Sequence, residues 1–221
     1  IYDFFSASVA SSGIDMTVLG SSNISITNNR FYQTGTRTQT TGSTHSCIRI
    51  GNTSANNLVI TGNTIGYSSS AGTGNYTFVG IVNSVFNPIM LSVGTASASS
   101  IQNNTIAGIS HSTSSASFLT IFNAINITAG NVNIGNTIGN TIGLPAAPIT
   151  FTATAGLGGT INGITMTSVS PTGISIQNNT VQSITTGGVA GAAFNLTGIN
   201  TAGSAVYIIT SITIGHGVAA N

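Results

Sequence analysis

The chain repeats a short pattern in which apolar and polar residues alternate. Isoleucines separated by one residue, as in Ile24–Ile26 and Ile174–Ile176, are typical of a strand with one buried face. Asn-Asn or Gly-Asn follows, and these residues adopt turn and left-handed conformations at low cost. Alternation then resumes, and no helical period is visible. The pattern therefore predicts a strand, a tight turn and a second strand.

This strand–turn–strand unit occurs five times. The copies cover Ile24–Phe31, Leu58–Ile65, Ser100–Ile106, Val132–Ile138 and Ile174–Val181. Aligning them on the second polar residue of the turn selects Asn29, Asn63, Asn104, Asn136 and Asn179. The steps between these asparagines are 34, 41, 32 and 43 residues, so short and long steps alternate and each pair spans 75 residues. Internal repeats of this length indicate a repeat architecture.

The 75-residue period also holds outside the repeated unit. Gly13–Thr17 reappears 150 residues later as Gly163–Thr167 without a gap, and Pro88–Ser92 keeps two of the apolar residues at the intermediate offset. Near the end, Tyr207–Gly215 aligns with Leu58–Gly66, except that an isoleucine, Ile212, replaces the asparagine. We therefore expect the repeat to relax or to be capped at this last copy.

Further strands and loops are predicted between the units. Segments rich in apolar and β-branched residues predict second strands at Cys47–Ile50, Phe78–Val82, Phe118–Phe122, Ile149–Thr154 and Phe194–Ile199. Stretches rich in Ser, Thr and Gly predict loops of variable length at Thr34–Thr44, Ser68–Asn75, Ser110–Ser117 and Gly187–Gly191. Each repeat would then contain two or three short strands.

These features predict an all-β fold, a right-handed parallel β-helix (β-solenoid) of about six coils that forms one domain over residues 1–221. Short and long coils should alternate within the 75-residue super-repeat. Equivalent residues of successive coils stack at about 4.8 Å. Ile and Val columns should therefore fill the interior, and the five aligned asparagines should form one hydrogen-bonded ladder. A β-sandwich would lack the long period, and propeller blades would not alternate in length.

Charge and cysteine content narrow the functional classes. Only 2% of the 221 residues are charged, with three Lys or Arg, two Asp or Glu and a net charge of +1. Binding to nucleic acid or to an anionic membrane surface requires clustered basic residues, so neither partner is predicted. No apolar run is long enough to span a bilayer, and no membrane insertion is expected. The single cysteine, Cys47, lies in an apolar segment and is predicted to be buried.

The phrase Ile-x-Asn-Asn-Thr-Ile and its Gly-Asn-Thr-Ile-Gly variants, with Ser/Thr/Gly-rich spacers, resemble the parallel β-helix repeats of very large secreted surface proteins of Bacteroidota-type bacteria. The resemblance covers nearly the whole chain and implies export to the cell surface or beyond. The same helix is also similar to that of pectate-lyase-type and other polysaccharide-degrading enzymes. Fold alone therefore does not decide between a structural protein and an enzyme.

Few side chains could support catalysis or ligand binding. The carboxylates are Asp3 and Asp15, whereas common glycosidases need a matched pair and a calcium site needs three or more oxygen anions. We therefore predict no catalytic residue, no metal site and no cofactor. Arg37, His45 and Arg49 form the only local cluster of basic groups, in or near one loop. They could hold a sulfate, a carboxylate or an anionic sugar, and simple solvation of the three side chains is the alternative.

The leading functional hypothesis is a non-enzymatic extracellular structural protein that forms a filament, a sheath or an adhesin stalk. The chain opens at Ile1 without a signal peptide, and it starts and stops at nearly the same position of the repeat. We therefore expect head-to-tail self-assembly or a segment of a longer repeat chain, with surface glycans as further candidate partners. A carbohydrate-binding or polysaccharide-cleaving β-helix is the alternative. An ice-binding solenoid is a more distant one, because the Thr-x-Thr pairs do not recur at the coil period.

Overall fold

The computed structural model describes residues 1–17, 22–80, 82–115, 119–167, 174–203 and 206–215, apart from the side chain of Ser115. These residues form 23 β-strands and no helix. In chain order the strands are β1 (Ser11–Met16), β2 (Ser25–Thr27), β3 (Arg30–Phe31), β4 (Arg37–Gln39), β5 (Thr44–Gly51), β6 (Val59–Thr61), β7 (Thr64–Ile65), β8 (Tyr76–Gly80), β9 (Val85–Ser92), β10 (Ser99–Gln102), β11 (Thr105–Ile106), β12 (Ile109–Ser115), β13 (Thr120–Ala129), β14 (Val132–Ile134), β15 (Thr141–Ile142), β16 (Ile149–Gly156), β17 (Gly159–Met166), β18 (Ile174–Gln177), β19 (Thr180–Gln182), β20 (Ile184–Gly188), β21 (Phe194–Thr201), β22 (Tyr207–Thr210) and β23 (Thr213–Gly215).

Every fourth strand belongs to the same sheet, and neighbouring strands within each sheet are parallel. Sheet 1 has the order β1-β5-β9-β13-β17-β21, sheet 2 β2-β6-β10-β14-β18-β22, sheet 3 β3-β7-β11-β15-β19-β23 and sheet 4 β4-β8-β12-β16-β20. The chain therefore winds through the four sheets in turn. It makes five complete coils and a sixth coil of three strands among the described residues. The predicted all-β parallel solenoid is confirmed, and the predicted number of coils is close.

Columns of apolar side chains fill the interior, one column from each of sheets 1 to 3. Their buried members are Ile48, Ile89, Ile125 and Ile164 in sheet 1, Ile60, Ile101, Ile134 and Ile176 in sheet 2, and Ile65, Ile106, Ile142 and Val181 in sheet 3. β-Branched side chains fit the pleated face of a strand. Burying each one contributes about 1.5–3 kcal/mol, so these columns are the main source of stability.

The predicted second strands overlap β5, β8, β13, β16 and β21. However, β8 ends at Gly80, β13 begins at Thr120, and Ile81 and Phe118 of the predicted strands lie outside the described residues. The predicted loop at Ser68–Asn75 is confirmed as a series of bends and turns. Two predicted loops were wrong, because Thr34–Thr44 contains β4 and Ser110–Ser117 contains most of β12.

The error in the second of these loops has a clear cause. The side chains of His111 and Thr113 are buried in β12, so this strand presents polar residues to the interior and lacks the apolar alternation that predicts strands. The predicted loop at Gly187–Gly191 is also partly wrong, since β20 continues through Gly188 although its last three residues are exposed and lack apolar alternation. Apolar alternation is therefore a sufficient but not a necessary mark of a strand in this solenoid.

At the corner between sheets 2 and 3, five asparagines form a continuous ladder: Asn29, Asn63, Asn104, Asn140 and Asn179. After Asn29, each Oδ1 accepts two hydrogen bonds of 2.8–3.1 Å from the asparagine one coil earlier, one from its main-chain N–H and one from its side-chain amide. In four coils the preceding turn residue has a φ between +51° and +68°, as predicted for this tight turn; these residues are Asn28, Gly62, Asn103 and Asn178. We call this column the corner ladder.

The corner ladder corrects the prediction for Asn136. The fourth coil contains two copies of Gly-Asn-Thr-Ile, at 135–138 and 139–142, and the structure places Asn140 of the second copy in the ladder. Asn136 is exposed in the extra loop, where Gln102 Nε2 donates to its Oδ1 over 2.6 Å. The steps along the ladder are 34, 41, 36 and 39 residues, so the 75-residue sum holds for either copy. The period therefore could not distinguish the two asparagines.

Candidate functional site

Sheet 1 carries two neighbouring columns of side chains that are polar except for Met90. One contains Ser12, Ser46, Asn87, Asn123 and Asn162, and the other contains Asp15, Arg49, Met90, Asn126 and Thr165. Their members lie three residues apart along each strand, a spacing that would put them on opposite faces of a straight strand. Thr165 Oγ1 nevertheless donates to Asn123 Oδ1 over 2.9 Å, so the strands bend and bring the columns together. We call the strip of sheet 1 that these two columns form the polar groove.

In coils 3 to 5 the floor of the polar groove is a second asparagine ladder. Asn123 Nδ2 donates to Asn87 Oδ1, and Asn162 Nδ2 donates to Asn123 Oδ1, both over 2.8 Å. All three side chains are buried. We call this column the groove ladder. The sequence analysis missed it, although its steps of 36 and 39 residues add up to the same 75-residue period.

At its N-terminal end the polar groove opens into a cavity of about 340 Å³. The cavity is lined by Ala10, Ser11, Ser12, Asp15, Thr44, Arg49 and Met90. Arg49 Nη1 donates to both carboxylate oxygens of Asp15, over 3.1 and 2.9 Å. The two side chains are 41% and 43% exposed, so they present both hydrogen-bond donors and acceptors to solvent while their charges cancel.

The second ion pair lies on another sheet. Arg37 Nη2 is 3.3 Å from Asp3 Oδ1, and Asp3 also accepts hydrogen bonds from the hydroxyl and the main-chain N–H of Thr34. Burial raises the pKa of Asp3, but the hydrogen bonds from Thr34 and the Arg37 guanidinium outweigh it and lower that pKa below its ordinary value. Both carboxylates of the chain are therefore paired with an arginine.

The structure does not bring the three predicted basic candidates together. Arg37 lies on β4 in sheet 4, while His45 and Arg49 lie on β5 in sheet 1. His45 is fully buried, with Nδ1 2.8 Å from Ser11 Oγ and its ring against Phe5, whereas Arg49 is on the outside. Because the predicted shared loop contains strand β4, the expectation of one basic cluster was wrong. Of the three, only Arg49 lines the cavity of the polar groove.

A cluster of aromatic rings surrounds the buried histidines in the interior of the first four coils. His45 occupies the same column as Phe86, and His111 occupies the same column as Phe78 and Phe151. Burial lowers the pKa of His45 to about 4, and burial together with the charge of His45 lowers the pKa of His111 to about 3. Both rings are therefore neutral at pH 7 and serve as parts of the core.

Cys47 is buried, as predicted, and burial raises the pKa of its thiol well above the ordinary value. Its thiol is therefore protonated and unreactive at neutral pH. Among the described residues, no group of three or more His, Cys, Asp or Glu side chains could hold a metal ion. The Ser11 hydroxyl lies 2.8 Å from His45 Nδ1, but the imidazole is fully buried in the core, and we assign no catalytic residue.

The apolar columns of the interior end at the sixth coil, where their last members are exposed. Ile209 and Ile214 continue the columns of Ile60 and Ile65, but they are 45% and 61% exposed, whereas the two inner residues are fully buried. An apolar hollow of about 160 Å³ lies at the same end, lined among others by Val181, Ile184, Leu196 and Ile214. We call the exposed side of β21, β22 and β23 the open edge.

No protein-family model, no curated protein and no solved structure matches the chain. No helix in the described ranges is long and apolar enough to cross a membrane. Function has to be inferred from the polar groove and the open edge.

Proposed function

We propose that this chain is a non-enzymatic structural β-solenoid that extends by stacking further coils on its open edge. The observation that carries the proposal is the exposure of Ile209 and Ile214, which prolong interior columns into solvent. Exposed apolar surface of this kind is typical of an association surface. The main-chain groups along the outer side of an edge strand also remain available to pair with another strand.

The occupant that fits the open edge best is a second copy of the same chain. Coil-to-coil stacking of sheets 1, 2 and 3 is a contact that the chain already makes five times within itself. A second copy offers β1 and β2, the opposite edges of sheets 1 and 2. A net charge of +1 provides almost no repulsion between copies. Such a contact does not close on itself, so it leads to an open filament.

Stacking requires one local rearrangement. Tyr2 forms a parallel bridge with Tyr32, and the N–H of Thr40 donates to the carbonyl of Ala7 over 2.8 Å. The first residues therefore continue sheets 3 and 4 beyond the first coil. If β1 stacks on β21 and β2 on β22, Tyr2 of the incoming copy reaches the level of β23. All three residues of β23 are exposed, so we expect β23 to give up its place at little cost.

Sedimentation velocity and negative-stain electron microscopy test this proposal with two matched lysine variants. Ile209→Lys places a charge in the column at the open edge, and Ile138→Lys places one at a similarly exposed site (54%) on the side of the solenoid. We expect the wild type and Ile138→Lys to form filaments as concentration rises, and Ile209→Lys to remain monomeric with an unchanged circular dichroism spectrum. A wild type that stays monomeric at high concentration, or equal loss in both variants, would contradict the proposal.

The extracellular or cell-surface location is part of the same proposal. It is supported by the resemblance of the Asn-Asn-Thr-Ile repeats to secreted surface proteins. Immunogold labelling of intact source cells should therefore reach this solenoid from outside. Labelling only after permeabilisation would argue against this location.

A further inference from the structure

We propose that the cavity at the N-terminal end of the polar groove binds a neutral saccharide unit through Asp15 and Arg49. The cavity volume of about 340 Å³ lies within the range of about 300–1,000 Å³ found for small-molecule sites. The lining combines one carboxylate, one guanidinium and the hydroxyl groups of Ser12 and Thr44, whereas the Ser11 hydroxyl is hydrogen-bonded to His45. Donors and acceptors therefore alternate over a short distance, as vicinal hydroxyl groups of a sugar require.

The repeat itself argues that the ion pair is not needed for folding. Gly13–Thr17 and Gly163–Thr167 are identical except that Asp15 is replaced by Thr165. Along the same column, Met90 and Asn126 are also uncharged, and the coils stack in the same register. An exposed ion pair contributes little to stability. The chain thus places two of its few charged residues where the solenoid does not require them.

Charge decides between a neutral and an anionic ligand. Asp15 neutralises Arg49 at 2.9 Å, and the other ion pair lies on sheet 4. An acidic sugar would have to displace the Asp15 carboxylate from Arg49 before it gained a charged partner. A neutral sugar can donate to the free lone pairs of Asp15 and accept from the remaining N–H groups of Arg49 without breaking the pair.

Two further features limit the ligand. Met90 provides an apolar wall on which the C–H face of a sugar can rest. No aromatic side chain is among the lining residues, so we expect weak binding, with a Kd on the order of 1 mM. Ser46 lies next to Ser12 in the same column and its buried hydroxyl has no hydrogen-bond partner in the described part of the chain, which adds a polar group close to the cavity.

Ligand-observed NMR tests the proposal with five probes: cellobiose, maltose, mannobiose, digalacturonate and glycerol. We expect at least one neutral disaccharide to bind the wild type and to bind at least tenfold more weakly to Asp15→Thr and to Arg49→Met. Both substitutions introduce residues that the same column already uses, so folding should survive, as circular dichroism can verify. Asp3→Asn at the other ion pair is the matched control and should bind like the wild type.

Each remaining outcome overturns the proposal. Absence of binding by all three neutral disaccharides at 20-fold the expected Kd would do so, and so would binding no stronger than that of glycerol. Unchanged affinity in Asp15→Thr would show that the ligand lies elsewhere. Tighter binding of digalacturonate than of the neutral sugars would identify an anion site instead. Binding is measured at a concentration at which the chain is monomeric, because β1 contributes both to the cavity and to the proposed contact between copies. The result then does not depend on filament formation.

Discussion

In the corner ladder, the side-chain amide of Asn104 donates to the main-chain carbonyls of Ile60 and Gln102 and accepts the main-chain N–H of Asn63. In the groove ladder, every hydrogen bond of the Asn123 amide involves another side chain. The corner ladder therefore supplies partners to main-chain groups that a tight turn leaves unpaired. The groove ladder pairs side chains with one another. Asparagine is therefore required by the main chain in the corner ladder, whereas in the groove ladder other side chains could take its place.

Acid pH should have the largest effect on stability. It acts on the buried histidines and not on the two asparagine ladders, because asparagine does not titrate. Burial lowers the pKa of His45 to about 4 and that of His111 to about 3, from an ordinary value of 6.5. Below pH 6.5 the unfolded chain takes up protons that the folded chain does not, so stability falls as pH decreases toward 4. At about 1.4 kcal/mol per pKa unit, the total loss is on the order of 5 kcal/mol. Urea unfolding at pH 7, 5.5 and 4 measures it.

The control uses residues from the same columns. His45→Phe matches Phe86, and His111→Phe matches Phe78 and Phe151. The double variant should lose most of the pH dependence between 6.5 and 4. Asp3, whose pKa is lowered below 3.8, titrates only below this window, and the raised pKa of Cys47 lies above it. An acid loss that persists in the double variant would contradict the assignment to the histidines.

Substitution in the corner ladder should have the next largest effect. Asn140→Leu leaves the main-chain N–H of Asn104 without its acceptor, and it removes one of the partners of the Asn104 side-chain amide and of the Ile101 carbonyl. Each buried group left unpaired costs about 1–3 kcal/mol, so we expect a loss of about 3 kcal/mol in urea unfolding at pH 7. Asn136→Leu changes the same residue in an identical tetrapeptide, but this residue is exposed, and it should cost under about 0.5 kcal/mol. If Asn136→Leu costs more than Asn140→Leu, Asn136 and not Asn140 belongs to the corner ladder.

Asn123→Leu in the groove ladder should cost less, about 1–2 kcal/mol. Its partners are the side chains of Asn87, Asn162 and Thr165, which can turn toward each other or toward solvent in the groove. Leucine also has the same branching and the same number of side-chain heavy atoms as asparagine, so it leaves no cavity. Asn126→Leu, in the neighbouring column and half-buried, is the control and should be nearly neutral. If Asn123→Leu is as costly as Asn140→Leu, the contrast between the columns fails.

The contrast also explains which parts of the structure could be predicted from sequence. The corner asparagines follow alternating isoleucines and sit next to residues that favour left-handed turns, so their local context identifies them. Asn87, Asn123 and Asn162 lie within long strands, and no turn accompanies them. Only the 75-residue distance from Asn87 to Asn162 links them to the repeat. A period can reveal such a column, but it does not show on which face of a bent strand the column lies.

The polar groove was beyond sequence reasoning for the same physical reason. Asp15 and Arg49 lie 34 residues apart and meet only because β1 and β5 pair in that register. The predicted cluster instead combined Arg49 with Arg37 and His45 because they are close in sequence. In a solenoid, residues that are one coil apart become neighbours, while residues of one strand alternate between the core and solvent. Proximity along the chain is therefore a poor guide to a site.

The smallest effect on stability is expected at the open end of the polar groove. Asp15→Thr removes an ion pair whose members are 41% and 43% exposed, and it introduces the residue that occupies this position in the fifth coil. Exposed ion pairs contribute about 0–1 kcal/mol, so the change in unfolding free energy should stay below about 1 kcal/mol, and it should shrink further at 1 M salt because screening weakens the pair. Urea unfolding at low and high salt measures both values. A loss of stability as large as that of Asn123→Leu, and independent of salt, would mean that Asp15 is a structural residue of the polar groove. The two ends of the groove would then not differ in their contribution to stability.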